Sequence, residues 1–320
     1  MTVTSADVAK AAGVSRGAVS QILNGRGERF SVQTRERVKQ IALELNYQPS
    51  AAARTLARGA SEIVVALIPN TTFGSNLQDL YDTLTDELSA VGFTLVLRLS
   101  TSSSESFDRL VRTMHPFAVS TIARVNDDDR RLLQERGVHL IEPEIGVIEQ
   151  INYAIGRMQA QYLIDRGRVQ LAYAHLRDSR DDPFGRAREE GVRDACLAHG
   201  LPDPEILNLA IDLDEGRREL SRLRLPGPGI ACYNDDVALA LMSAALQSGW
   251  KVPADLALIG ADNTPVGRLA IPRLTTIDMD FQAAAQNAVR IVLSALLATA
   301  PAEPVGDLPS ALRLVEGATA

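Results

Sequence analysis

Residues 4–24, Thr4-Ser5-Ala6-Asp7-Val8-Ala9-Lys10-Ala11-Ala12-Gly13-Val14-Ser15-Arg16-Gly17-Ala18-Val19-Ser20-Gln21-Ile22-Leu23-Asn24, hold the information that decides the fold. They read as two short helices joined by a tight turn. Thr4 caps the first helix, and Asp7, three residues on, completes a capping box. Val8, Ala9 and Ala12 give that helix a narrow apolar face whose small side chains allow close helix contact. Gly13 falls at the turn, where a left-handed backbone is cheapest for glycine. Ser15 caps the second helix, whose Val19, Ile22 and Leu23 face inward. A third helix starts near Ser31, with Val38, Ile41, Ala42 and Leu45 at i, i+3, i+4 and i+7. Three short helices around one miniature core make a helix-turn-helix unit over residues 1–49.

Outward from that unit, Asn46-Tyr47-Gln48-Pro49 closes it, and residues 50–60 form a segment capped at Ser50 and stopped at Gly59. The segment is rich in helix formers but too short to be helical alone in water, so it reads as a conditional hinge helix. From Ile63 the rhythm changes to apolar strands alternating with amphipathic helices. The strand-like runs are 63–68, 94–99, 119–123, 138–141, 170–174, 229–233 and 256–259; helices are expected at 77–91, 157–166, 186–199 and 236–248. Strand–helix alternation of this kind predicts parallel sheets wound with helices on both faces. Residues 61–320 suffice for two such doubly wound subdomains, with chain crossovers near 150–156 and 275–282 and ligands outside the carboxyl ends of strands.

Composition agrees with this organisation. The 320 residues are 46% hydrophobic and 23% charged, ordinary globular usage, and the 4% aromatic content leaves the interior to Ala, Val, Leu and Ile. Cys196 and Cys232 are too few for a disulfide framework or a four-cysteine zinc site, and both sit in apolar stretches as reduced thiols of a cytosolic protein would. No membrane span, secretory signal or cofactor is expected. The formal charge of −7 is unevenly spread: residues 1–60 carry nine Lys or Arg against four acids, a balance of +5, and the remainder is −12. A basic module of that kind can neutralise phosphates while the acidic body is repelled from them.

The run Asp7 to Asn24 resembles the headpiece of the lactose/galactose repressor (LacI/GalR) family, D-V-A-x-x-A-G-V-S-x-x-T-V-S-x-x-L-N, with Ala18 replacing Thr as its one departure. The likeness continues through Asn46-Tyr47-x-Pro49, Ala53-Arg54-Thr55-Leu56-Ala57, Tyr162-Leu163-x-x-x-Gly167 and Arg188-x-x-Gly191. It extends to Asn234-Asp235, Val252-Pro253-x-Asp255, Gly260-x-Asp262 and Pro272-x-Leu274-Thr275-Thr276-Ile277. The resemblance implies an all-α headpiece on a periplasmic-binding-protein-like α/β body. It further implies a cytoplasmic homodimer on palindromic operator DNA, most simply a repressor controlled by a sugar or other small metabolite. Departures fall mainly in the body: Arg168 where the family has His, Asn263 where a second acid follows Asp262, Thr71-Thr72-Phe73-Gly74-Ser75-Asn76 after the first strand, and Glu316-Gly317 near the end.

Within that frame the second helix enters the major groove with its N-terminal residues toward base edges. Arg16, a solvated arginine in an isolated helix, becomes a bidentate reader of guanine, and Gln21 a reader of adenine or guanine. Gly17 leaves its base pair loosely read, Ser20 joins the reading set, and Ser15 and Asn24 suit phosphates; Thr4 and Ala18 complete the DNA-binding candidates. Leu56, with Ala53 and Arg54 beside it, is implied to wedge into the minor groove and kink the duplex. Phe73, Arg188, Asn234 and Asp262 are the effector candidates: a stacking ring, a guanidinium fork and two strand-end polar groups. Arg188 and Asp262 could alternatively be a structural ion pair.

Other patterns are set aside. Gly13-Val14-Ser15-Arg16-Gly17 matches a G-x-S-x-G nucleophile elbow, but a helix precedes it where the elbow needs a strand. Asp127-Asp128-Asp129 suits a helix start. Asp212 to Gly216 imitates a calcium loop yet has Leu223 where a bidentate Glu belongs. His115, His139, His175 and His199 stand singly. A hydrolase and a solute-binding protein are the rival readings; the headpiece speaks against both.

Overall fold

The computed structural model describes residues 3–23, 27–47, 61–68, 75–100, 104–122, 125–142, 145–177, 184–223, 227–279, 286, 289–294 and 312–320. Asn24, Phe73 and the expected hinge at 50–60 lie outside them. The chain divides into a unit of residues 1–63 with 105–117 and a larger unit of 64–104 with 118–320.

The first unit contains α1 (Ser5–Ala12), α2 (Arg16–Leu23) and α3 (Val32–Glu44). Val8, Ala9, Ala12, Val19, Ile22, Val38 and Ala42 are buried together as their core, with Phe30 and Tyr47 packed against it. The apolar spacing read from the sequence is therefore the spacing that is buried. Gly27, beyond α2, is also buried: a Cβ there would lie 3.2 Å from the Ile22 Cα. In the same unit, the backbone amide and hydroxyl of Ser61 both donate to the His115 carbonyl, at 2.8 and 2.9 Å.

The larger unit holds two sheets. One comprises β1 (Ile63–Ile68), β2 (Thr94–Leu99), β3 (Ala118–Thr121) and β4 (His139–Ile141), in the order β2-β1-β3-β4. Its helices include α4 (Ser75–Ala90), which buries Leu80, Tyr81, Leu84 and Leu88, and α6 (Asp127–Glu135); α5 (Ser104–Met114) precedes β3. Asn126 caps α6 by accepting from the Asp129 amide at 2.8 Å, so the three aspartates open a helix.

α7 (Ile145–Asp165) then leads to the second sheet. That sheet contains β5 (Leu171–Leu176), β6 (Glu205–Leu209), β7 (Gly229–Cys232), β8 (Ala257–Ala261), β9 (Thr275–Met279) and β10 (Leu312–Val315), in the order β10-β9-β8-β7-β5-β6. Its helices are α8 (Gly185–Ala198), α9 (Leu213–Leu220), α10 (Asp235–Gln247) and α11 (Pro265–Leu269). Successive residues of each strand serve opposite cores, as the pleat requires. Ala172, Ala174, Ile230, Cys232, Leu256 and Leu258 pack with α9 and α10. Leu171, Tyr173, Ala231, Ala257 and Ile259 pack with α7 and α8.

Three expectations need correction. The sheet is not wholly parallel, because β10 pairs antiparallel with β9, Leu314 opposite Ile277. The helix expected from Arg157 starts well before it, at Ile145, so residues 150–156 are helical. Gly156 is retained there because a Cβ would sit 1.9 Å from the Arg188 carbonyl oxygen: it marks a close helix contact and not a helix end. Residues 275–279, at the start of the second expected crossover, form strand β9, which the strand-like runs read from the sequence do not include. The calcium-loop imitation is resolved as well, since Asp212 caps α9 by accepting from the Asp214 and Glu215 amides, each at 3.0 Å.

Candidate functional site

Two caps set the first two helices of the smaller unit. The Asp7 carboxylate accepts from the Thr4 amide at 2.8 Å and from the Thr4 hydroxyl at 2.7 Å, and those bonds hold its pKa below the ordinary carboxylate range. Gly13 adopts φ +63°, letting the Val14 amide return to the Ala9 carbonyl at 3.0 Å and ending α1. Ser15 Oγ then accepts from the Ala18 amide at 3.1 Å and starts α2. The serine of the G-x-S-x-G pattern is thus a cap between two helices.

With α2 fixed by its buried Val19 and Ile22, Arg16, Gly17 and Ser20 are exposed and Gln21 is half-buried. Arg16 and Ser20, like Gly17 and Gln21, are four residues apart and share a helical face. Ala18 does not belong with them. It is 5% exposed, and its amide is taken by Ser15 Oγ, so it lies off that exposed face. Thr4 is exposed but its hydroxyl proton is committed to Asp7.

The second constellation lies in the larger unit, where β5, β7 and β8 are neighbours in the sheet and each carries one candidate beyond its carboxyl end. Arg188, on α8 after β5, is 7% exposed. Its Nε donates to Asn152 Oδ1 at 2.8 Å, its Nη1 donates to the Tyr233 carbonyl, and its guanidinium lies 5.1 Å from the centre of the Tyr233 ring. Asn234, after β7, is 3% exposed; its Oδ1 caps α10 by accepting from the Val237 amide at 3.0 Å. Asp262, after β8, has φ +106°, and Asn263 beside it φ +50°, both in the left-handed region that non-glycine residues rarely enter. Burial pushes the Asp262 carboxyl up to about 7; the Arg188 charge pulls it back, while Asp235 and Asp236 add to the rise.

The structure adds residues that the sequence reading missed. Asp235 is fully buried and ties the loop carrying Asp262: it accepts from the Thr264 amide and the Thr276 hydroxyl, each at 2.6 Å. Burial pushes its carboxyl up to about 6 against those hydrogen bonds. Gln159, wholly buried on α7, donates through Nε2 to the carbonyls of Cys232 at 2.9 Å and Gly260 at 2.8 Å, where β7 and β8 end. Asn152, 6% exposed, holds Arg188. A signal was available for Gln159, a polar residue four positions from both Ile155 and Leu163 on the buried face of α7. Asp235 sits next to Asn234, but nothing local marks it as the more connected of the two. Of the departing residues, Arg168 donates to the Gly227 and Pro253 carbonyls and Glu316 pairs with Arg166 at 3.0 Å, so both have structural work.

Two family models match the chain: bacterial regulatory proteins of the lacI family over residues 4–50, and a periplasmic binding protein-like domain over residues 160–320. The PurR transcriptional repressor of Vibrio campbellii is 30% identical over 315 residues, spanning 90% of each chain. This chain belongs to the lacI family of bacterial regulatory proteins. As a lacI-family protein it is a transcriptional regulator and not an enzyme. Another relative is the ribose operon repressor of Halalkalibacterium halodurans, 28% identical over 286 residues, or 85% of this chain and 84% of that one. Among solved structures, a Lac repressor dimer bound to operator and the anti-inducer ONPF superposes with a TM-score of 0.76, covering 100% of this chain and 99% of that one at 22% identity. A CelR–cellobiose complex does so at 0.68, with 24% identity and 99% and 100% coverage. The lacI-family architecture is thus shared from headpiece to body.

Proposed function

We propose that this lacI-family chain is a homodimeric repressor working in the cytoplasm, which grips a palindromic operator and changes its grip when a small metabolite occupies the body. The observation that carries the reading is the exposed face of α2: Arg16, Gly17 and Ser20 stand in solvent on a module whose charge balance is +5. Arg16 supplies a bidentate fork for guanine O6 and N7, and Gln21 a second polar reader. Ser15 and Asn24 meet phosphates, which set register. Ala53, Arg54 and Leu56 belong to the hinge, with Leu56 the minor-groove wedge. The relatives' names support the two-ligand logic: one solved dimer holds operator and an anti-inducer, and another relative holds cellobiose.

The effector reading rests on Arg188, Asn234 and Asp262 at the ends of adjacent strands, with Phe73 as a stacking partner. A solute-binding protein would need the body alone. Selection from a randomised duplex pool at low ionic strength tests the proposal. An enriched inverted repeat is expected; a pool that stays random after repeated rounds, with and without a metabolite extract, contradicts it.

A further inference from the structure

Arg188 is held where it is by an unusually close helix crossing. An ideal Cβ on Gly156 of α7 would lie 1.9 Å from the Arg188 carbonyl oxygen, and one on Gly191 of α8 would lie 2.1 Å from the Tyr153 carbonyl oxygen. Each helix therefore presents a glycine to the other's backbone, and the two backbones touch. Asn152 is one turn before Gly156, and Arg188 is one turn before Gly191. The crossing thus sets the asparagine amide beside the guanidinium, with Oδ1 accepting from Nε at 2.8 Å. The other end of that amide is also committed: Nδ2 donates to the Ile148 carbonyl at 2.9 Å, so the amide cannot turn over without losing both bonds. Tyr153 reinforces the crossing by donating to Asp194 Oδ2 at 2.8 Å. Seven residues beyond Asn152, on the same helical face, Gln159 fixes α7 to the ends of β7 and β8 through the Cys232 and Gly260 carbonyls.

We infer that Asn152 is a positioning residue for the effector arginine: it holds Nε of Arg188 so that the remaining edge of the guanidinium is presented beside Asp262. This deepens the effector reading above and rests on it. A guanidinium has five N–H donors in a rigid plane. Asn152 and the Tyr233 carbonyl take one each, and two fixed donors on a planar group determine where the other three point. Without Asn152 the guanidinium keeps, among the described residues, the Tyr233 carbonyl and the face of the Tyr233 ring, and its plane is no longer fixed by two hydrogen bonds. Charge on the site comes from Arg188 on α8, Asp262 beyond β8, and Asp235 and Asp236 on α10, so the proton affinity of Asp262 reports where the guanidinium stands.

The test needs no ligand. Full-length protein carrying carboxyl-13C aspartate is titrated by NMR, with the Asp262 resonance assigned by its loss in Asp262→Asn. The wild-type midpoint is expected at about 7. Asn152→Ala is expected to raise the proton affinity of Asp262 by roughly tenfold, the low end of the effect of removing a nearby opposite charge. Asn152→Leu, closer in size, gives the same reading if the alanine variant folds poorly. Arg188→Ala is the reference and raises the midpoint at least as far. A midpoint that stays at the wild-type value in both Asn152 variants, while Arg188→Ala moves it, overturns the positioning role alone. A midpoint indifferent to Arg188→Ala overturns the pairing of Arg188 with Asp262, and with it the effector site.

Discussion

Arg16 stands in the first turn of α2 with its side chain in solvent, yet the helix beneath it is pinned by Val19 and Ile22 and by the Ser15 cap. A flexible side chain on a rigid base is what base reading needs, because the fork reaches while the register stays fixed. Arg16→Ala is expected to cost about 1–3 kcal/mol of operator affinity and to relax preference at one symmetric position. Competition with single-base operator variants measures this; uniform weakening across all of them would make Arg16 a phosphate contact. In the body, Asp235 and Asp262 titrate at about 6 and about 7 in the folded chain, above their ordinary value of 3.8. The folded protein therefore holds protons that the unfolded chain has already released. Their contribution to stability is complete below pH 4 and is lost as pH rises through 6 and 7. Asp262→Asn is expected to flatten part of that decline, seen by comparing unfolding midpoints of both proteins from pH 4 to 8. Parallel curves would contradict the raised values. Arg188 was legible in sequence by its motif; Asn152 and Asp235 were not, since their partners are 36 and 41 residues away.

Strands were legible where they are buried on both faces. β1, β7 and β8 are continuous apolar runs, and their positions followed from that alone. β9 escaped because Thr275 and Thr276 look like loop residues. They are buried by hydrogen bonds that no local pattern reveals: the Thr275 amide donates to Thr319 Oγ1 at 2.9 Å and the Thr276 hydroxyl to Asp235 at 2.6 Å. β6 and β10 are the edge strands and carry polar residues on an exposed side, which weakened the signal. In α7 the expected start at Arg157 falls just after Gly156, a glycine whose role is contact with α8. That role is testable within one helix. Gly156→Ala forces a methyl group into the Arg188 carbonyl and is expected to destabilise by roughly 1–3 kcal/mol, as overpacking does. Gly146→Ala, with nothing within 4 Å of the added carbon, is expected to be neutral or stabilising by up to about 1 kcal/mol. Urea denaturation of the two variants decides; equal effects would remove the close-crossing argument.

The molecule as a whole separates its charges as it separates its tasks. Residues 1–60 carry +5 and the remaining residues −12, so attraction for a polyanion belongs to the headpiece end of the chain. The family's helix-turn-helix and body were legible because three helices of small apolar residues and a long strand–helix alternation are local patterns. The central claim is that a paired, exposed α2 face reads a palindrome. Fluorescence anisotropy on the selected inverted repeat, against a scrambled duplex of equal length and across a series of salt concentrations, tests it most directly. A preference for the repeat of about 10³-fold or more is expected, with affinity falling log-linearly as salt rises. Equal affinity for the two duplexes at every salt concentration would contradict it.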